Sequence, residues 1–340
     1  MKKYYVIFFF VILILAGIIF YLQQPRLHKY SESKLLLGTI VKIDVCVTRQ
    51  QRKNLDFVFQ EVWKRIEDIH ERMGEEGVLS EVRRINLAQS QATKLQSDTY
   101  GLLRMAVDYS QSTQGAFDVT VLPLLEIWRK AAKINRLPEK RDISEARKDV
   151  GFAYIKFLPP DKIRLTNKNS KIVLGAVAKG YAVDEAARLL RKNGFYHFLI
   201  DAGGDLYASG NNDENLRWRI GIRHPLIKSE MIDRMDLSYA AITTSGDYEQ
   251  YFEIQGQKYS HIIDPKTGYP TGRVVSATVI APTTTEADIL STALCVLDPE
   301  KGIAFIDSLG DGFSALIFEK NQDGDLVRFQ SRAYEKFKAK

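Results

Sequence analysis

Residues 260–297, SHIIDPKTGYPTGRVVSATVIAPTTTEADILSTALCVL, leave few choices of local structure. A histidine, His261, stands beside a tight turn. Asp264, Pro265, Gly268 and Pro270 favour that turn for different reasons: proline presets φ, glycine supplies positive φ, and aspartate bonds its own backbone. Residues 274–280 are apolar and largely β-branched, which predicts a strand, and Ala281-Pro282 ends it. Thr283, Thr284 and Thr285 offer N-cap hydroxyls, and Glu286 falls in a first helical turn, where the dipole favours an anion. On the helix that follows, Asp288 and Thr292 are four residues apart and share a face. A carboxylate above a hydroxyl, beside a His-bearing turn, makes an oxygen-rich pocket of the kind that suits a hard cation such as Mg²⁺. The same spacing also suits a dipole-compensating acid and a packed threonine. His261, next to Ile262-Ile263, suits a half-buried structural histidine as well as a catalytic one.

The chain has 340 residues, 45% hydrophobic and 26% charged, enough for one large or two medium domains. Its net charge of +6 is compatible with an anionic ligand or a membrane surface. No basic helix or aromatic-basic motif accompanies that charge, so no nucleic-acid partner is expected. Cys46 and Cys295 both lie in apolar runs, which predicts buried free thiols, with a single bridge as the alternative.

Residues 4–22 form an uncharged apolar run of roughly 19 residues, long enough to span a bilayer. Met1-Lys2-Lys3 precedes it, which favours the N-terminus inside and the remainder outside. Ile18 stands where a lipoprotein signal would carry cysteine, and no Ala-x-Ala cleavage signal is present. The expectation is an uncleaved transmembrane signal anchor over residues 1–24, with a cleaved export signal as the alternative. Polar residues 25–34 read as a linker, and one domain is expected over residues 35–335.

Within that domain the alternation IVKIDVCV predicts a strand at 40–47. Apolar steps of three and four predict a helix at 53–72. Residues 80–86 form a second short element, and an amphipathic helix is expected at 99–113. In GAFDVTVLPLLEIWRK (115–130), Gly115 lets a backbone approach a ligand and Phe117 supplies a stacking surface. A helix C-cap followed by core residues fits the same stretch. Residues 129–171 read as charged and loop-rich, with a hairpin at 154–165. KIVLGAVAKGYAVDEAA (171–187) reads as strand, glycine turn, helix, similar to a phosphate cradle with Lys179 adding charge. It has neither Walker nor dinucleotide-fingerprint spacing. Strands are expected at 198–206 (into a Gly-Gly turn), 218–222 and 239–243, then a hairpin at 253–259. The tail, 302–330, reads as helix, strand, turn, strand.

Taken together, SEVRRIN (80–86), GAFDVTVLPLLEIW (115–128), LGAVAKGYAVDEA (174–186), DAGGDLYASG (201–210), WRIGIRHP (218–225), TTSGDYEQYF (243–252), HIIDPKTGYP (261–270) and SATVIAPTTTEADILSTAL (276–294) resemble the ApbE family, the FAD:protein FMN transferases. The motifs occur in the family's order over roughly residues 35 to 310. The resemblance implies an α+β fold of two packed α/β lobes held outside the cytoplasmic membrane. It implies Mg²⁺-dependent transfer of FMN from FAD to a Ser/Thr hydroxyl of an acceptor flavoprotein, with AMP released. The acceptor would be a quinone-reductase subunit or an FMN-binding-domain protein carrying a short Ser/Thr motif. The metal ligands implied are the Ala176 carbonyl, Asp288 and Thr292. Ala116, Phe117, Asp118, Leu37 and Ile262 would contact the flavin dinucleotide, and Lys179 its phosphates or ribityl chain. His261 would border the site as general base. Glu76 stands where the family often has a stacking aromatic, and Val173 or Leu174 where many members have aspartate. Two other readings share these residues: a FAD pyrophosphatase giving FMN and AMP, and a protein that binds or delivers FAD without turnover.

Overall fold

The computed structural model describes residues 26–339 except 228, 247–250 and 322. The expected anchor at residues 1–24 therefore lies outside the described residues, and residues 247–250 of the 243–252 motif lie outside them too. Among the described residues no helix is long and apolar enough to cross a membrane.

The chain opens with a hairpin of β1 (His28–Leu36) and β2 (Thr39–Val47). Leu37 and Gly38 join them at φ 56° and 73°, the left-handed turn that matches strand twist. In α1 (Arg52–Met73), buried Leu55, Val58, Phe59, Val62, Ile66 and Ile69 recur at helical steps. Ser80 caps α2 (Glu81–Leu87) by accepting the Arg83 N–H. There follow β3 (Thr93–Lys94), α3 (Ser97–Ser112), α4 (Leu122–Lys133), α5 (Lys140–Arg147) and the hairpin of β4 (Ile155–Leu158) and β5 (Lys162–Leu165). Next come α6 (Ala178–Lys192), β6 (Phe198–Ala202), β7 (Asp205–Ser209), and the ribbon of β8 (Trp218–Arg223) with β9 (Met231–Leu237). The last part holds β10 (Ala240–Gly246), β11 (Tyr251–Ile254), β12 (Gln257–Ser260), β13 (Val274–Ala281), α7 (Thr284–Leu294), α8 (Pro299–Ser308), β14 (Ser314–Lys320) and β15 (Leu326–Gln330).

The α+β fold is organised by one eight-stranded sheet in the order β1-β2-β6-β7-β10-β13-β14-β15, antiparallel at every pairing. Alternate residues serve its two faces. Val41, Ile43, Val45, Ile200 and Val279 join α1, α6 and α7 in the main core. Cys46, Ala208, Ile242 and Ile280 face the other way, onto Trp218, Ile220 and Met235 of the β8–β9 ribbon. Because both faces are covered, all eight residues of β13 are buried, which accounts for its unbroken apolar run. A smaller core of Leu124, Trp128, Ile143, Ile254 and Ile263 fixes the turn after β12. Where the resemblance implied two packed α/β lobes, one continuous sheet carries helices on one face and a two-stranded ribbon on the other. Both cysteines are buried thiols and form no disulfide.

Three local expectations need correction. Residues 25–34, expected as a linker, are strand from His28 onward, paired with β2 from His28↔Val47 to Leu36↔Thr39. The strand is exposed along most of its length and lies at the sheet edge, so it needs no apolar alternation to announce it. The strand expected from residue 171 is a single bridge, Val121↔Lys171. The Ile172 backbone is satisfied instead by Asn86, whose amide accepts from Ile172 N–H at 2.7 Å and donates to Ile172 C=O at 2.9 Å, while Val173 N–H donates to Val119 C=O at 2.8 Å. Residues 129–171 are also more regular than expected, since α4 runs to Lys133 and α5 follows.

A charge network ties α1 to α3. Arg72, 4% exposed, donates to Asp98 at 2.6 Å and to Asp68 at 2.8 Å, and Arg65 reaches Asp98 at 2.7 Å. Burial works against the Asp98 carboxylate, but the bonds from Arg72 and Arg65 outweigh it and hold its pKa well below the usual range. Asp98→Asn leaves Arg72 buried and short of a partner, and is expected to cost about 3 kcal/mol at pH 7. A depressed carboxyl stabilises the fold above its unfolded pKa, about 4, and that contribution fades as pH falls towards the folded value. Urea unfolding at pH 7 and pH 3 should therefore show the variant's deficit shrinking at the lower pH. A deficit independent of pH would contradict the ion-pair account.

Candidate active site

Helices α6 and α7 meet at a seam that defines the site. Gly180, in the first turn of α6, donates its N–H to Asp288 Oδ2 at 3.1 Å. A Cβ at Gly180 would lie 2.5 Å from the Thr284 carbonyl oxygen, so only glycine allows the helices to come this close. The start of α7 forms as its sequence predicts, with Thr283 as N-cap accepting the Glu286 N–H.

Above the seam lies a cavity of about 1590 Å³. Leu37, Ala116, Phe117, Asp118, Ala176, Lys179, His261, Ile262, Asp288 and Thr292 all line it. Glu76 and Val173 are on its wall as well, together with Thr244, Ser245 and Arg223. Residues from eight separate stretches of sequence therefore converge on one space. Leu37 reaches it from the tip of the β1–β2 hairpin, where a branched-chain residue at positive φ is itself unusual. His261, half-buried, follows β12. Its turn is held by Gly268 N–H to Asp264 C=O at 2.8 Å and by Trp128 Nε1–H to Gly268 C=O at 3.0 Å.

Three charged groups interact at the seam: Asp288 and Lys179, which line the cavity, and Asp205, which pairs with Lys179. Asp288 is 3% exposed. Burial, then the charge of Asp205, push its carboxyl up to about 7, while Lys179 and the Gly180 N–H oppose the rise. Asp205, also buried, forms an ion pair with Lys179 Nζ. Burial raises the Asp205 carboxyl and Lys179 pulls it back. Asp205 opens β7 directly after Gly203-Gly204, and Gly203 (φ 68°) packs on Thr39, whose Oγ1 would be 2.3 Å from any Cβ there. Sequence reading placed Asp205 within a motif but gave it no role. The signal present was a lone acid opening an otherwise apolar strand after two glycines.

Asp118, besides lining the cavity, has a structural role. It is buried, and its carboxylate accepts from Thr120 N–H at 2.8 Å, Thr120 Oγ1–H at 2.6 Å and Phe152 N–H at 2.8 Å. These bonds tie residues 118–120 to the loop at 151–152. Phe117 is 2% exposed and belongs to the main core while also lining the cavity. The segment is a rigid wall before it is anything else.

The residues proposed from sequence for a cation fit one. Among the described residues no three His, Cys, Asp or Glu side chains gather as a metal site. A cation here would depend on one carboxylate, Asp288, with a hydroxyl and a backbone carbonyl. That all-oxygen set suits Mg²⁺ rather than a thiophilic or imidazole-seeking metal. A carboxylate whose charge is disfavoured by burial and by a neighbouring acid is one that a cation would relieve.

Comparison with known proteins agrees with the geometry. The ApbE family pattern matches residues 37–317. The FAD:protein FMN transferase of Escherichia coli (strain K12) is 35% identical over 235 residues, covering 62% of this chain and 67% of that one. The ApbE protein of Thermotoga maritima superposes with a TM-score of 0.83 at 31% identity, over 92% of this chain and 100% of that one. The flavin transferase ApbE of Vibrio cholerae superposes with a TM-score of 0.81 at 27% identity, over 92% and 99%. With its motifs in order, its fold matched along nearly its whole length and its marked residues in one cavity, this chain belongs to the ApbE family.

Proposed function

We propose that this protein is a FAD:protein FMN transferase that moves FMN from FAD onto a Ser/Thr hydroxyl of an acceptor flavoprotein and releases AMP. The observation that carries this reading is the pair Asp288 and Lys179 in the wall of a cavity large enough for a dinucleotide, with buried Asp205 ion-paired to Lys179. The lining acids Glu71, Glu75, Glu76, Asp118 and ionised Asp288 outnumber the lining cations Lys179, Arg129 and Arg223, which leaves the wall negative. A pyrophosphate is repelled by such a wall unless a cation intervenes. Ala176 C=O, Asp288 and Thr292 would hold Mg²⁺, which supplies charge neutralisation on the phosphate oxygens.

The chain's own groups do the rest. Leu37, Ala116, Phe117, Asp118 and Ile262 hold the flavin half, and Lys179 steadies the phosphates. His261 takes the proton from the acceptor hydroxyl. The hydroxyl oxygen bonds to the FMN phosphorus as the bond to the AMP phosphate breaks, so the flavin becomes a phosphoester of the acceptor. Quinone-reductase subunits and FMN-binding-domain proteins are the acceptor classes in view. The apolar run at residues 4–22 would anchor the enzyme in the cytoplasmic membrane with its cavity on the outer side.

The test is a product analysis with a fragment starting at residue 26, which retains β1. Incubated with FAD and Mg²⁺, with and without an acceptor domain, it should release AMP at a rate that rises with acceptor and is abolished by a chelator. AMP and free FMN produced equally without acceptor would favour a pyrophosphatase. Bound FAD with no AMP would favour a binding or delivery protein.

A further inference from the structure

Asp184 lies outside the cavity, on α6, four residues after Gly180. Its carboxylate accepts the backbone N–H groups of Thr284 and Thr285, both at 2.8 Å, and the Thr285 hydroxyl at 2.5 Å. These are donors at the start of a different helix, α7, where the first N–H groups have no partner within the helix. The Thr283 cap satisfies only Glu286 N–H. A carboxylate is also favoured there by the helix dipole and by charge-assisted bonding.

Gly180 and Asp184 share one face of α6, and Thr284 and Asp288 share one face of α7. The helices are thus joined twice, one turn apart: Asp184 to the start of α7, and Gly180 N–H to Asp288. Between the two links the Gly180 backbone packs on the Thr284 carbonyl. Ala176 lies two residues before α6 and Lys179 in its first turn, while α7 carries Asp288 and Thr292. We propose that Asp184 is a positioning residue, which by clamping the start of α7 to α6 sets the spacing between the Ala176 carbonyl and the Asp288–Thr292 pair. The inference rests on the reading of those three groups as the cation's ligands.

The test uses the full chain. Asp184→Asn keeps the side-chain shape but offers one acceptor oxygen and turns an amide NH₂ towards N–H donors. The MgCl₂ concentration for half-maximal FAD cleavage should rise roughly tenfold or more, in the range seen when groups supporting metal ligands are changed. Saturating MgCl₂ should restore most of kcat. The rise in Tm that MgCl₂ produces in the wild type, read without any substrate, should shrink at a given MgCl₂ concentration. Thr285→Val removes only the hydroxyl bond, and should move the MgCl₂ midpoint the same way by about threefold, a weak single hydrogen bond's worth. It serves as the readout if Asp184→Asn does not fold. A lower Tm with an unchanged MgCl₂ midpoint in the folded variants would make Asp184 a helix cap only and overturn the proposal. A wild type that neither gains Tm nor turns over with MgCl₂ would instead overturn the ligand reading beneath it.

Discussion

Asp288→Asn is expected to lower Mg²⁺-dependent FAD cleavage by about 10³-fold or more while leaving the fold intact. Asparagine has the same shape and can still accept the Gly180 N–H. It removes the one negative charge among the proposed ligands. A bound divalent ion supplies several kcal/mol of charge stabilisation in phosphoryl transfer, and each 1.36 kcal/mol is tenfold in rate. Stability should move the other way. Burial and Asp205 push the Asp288 carboxyl up to about 7 in the folded protein, above its unfolded value near 4. Without metal, the ionised group therefore opposes folding, and the wild type loses stability as pH rises from about 4 to 7. At pH 8 in chelator, Asp288→Asn should melt at the same temperature as the wild type or higher. Lost turnover with a retained Tm assigns Asp288 to the chemistry, and unchanged turnover removes it from the mechanism.

Lys179→Met should damage both stability and turnover. It strips the buried Asp205 carboxylate of its ion-pair partner. Removing one member of a buried pair typically costs about 3–5 kcal/mol, because the remaining charge stays uncompensated. Adding Asp205→Asn to that variant should recover most of the loss, since the stranded charge is gone. Turnover should not recover, because the cation facing the phosphates is still missing. Loss of such a group costs on the order of 10²-fold in rate. Urea denaturation of the two single variants and the double variant, with FAD turnover on each, separates the effects. A double variant that regains turnover along with stability would confine Lys179 to a structural role.

The stretch at 260–297 was legible because its period changes announce themselves: turn residues, then β-branched residues, then an N-cap. The structure follows with β13 and α7 at the expected places. The helix at α1 was legible for the same reason. The ordered motifs hold nine of the ten named residues that line one cavity, and Leu37 is the tenth. What stayed hidden lacks local periodicity. β1 is an exposed edge strand whose pairing satisfies its backbone while its side chains face water. In the loop at 172–174, Ile172 and Leu174 fill the core, and the Ile172 backbone is satisfied by Asn86, 86 residues away. Asp205 meets Lys179 across 26 residues and Asp184 meets Thr285 across 101. Contacts at such separations follow from how the sheet and helices stack. The inward turn of the Asp118 carboxylate was hidden likewise, since Phe152 lies 34 residues further on.

The central claim is that the cavity passes FMN to a protein hydroxyl, and intact mass of the acceptor tests it most directly. A Thr-bearing acceptor domain incubated with this enzyme, FAD and Mg²⁺ should gain the mass of one FMN phosphoester. The gain should vanish with a chelator and with Asp288→Asn. An acceptor of unchanged mass, while FMN and AMP accumulate in solution, would contradict the transferase reading and leave water as the nucleophile.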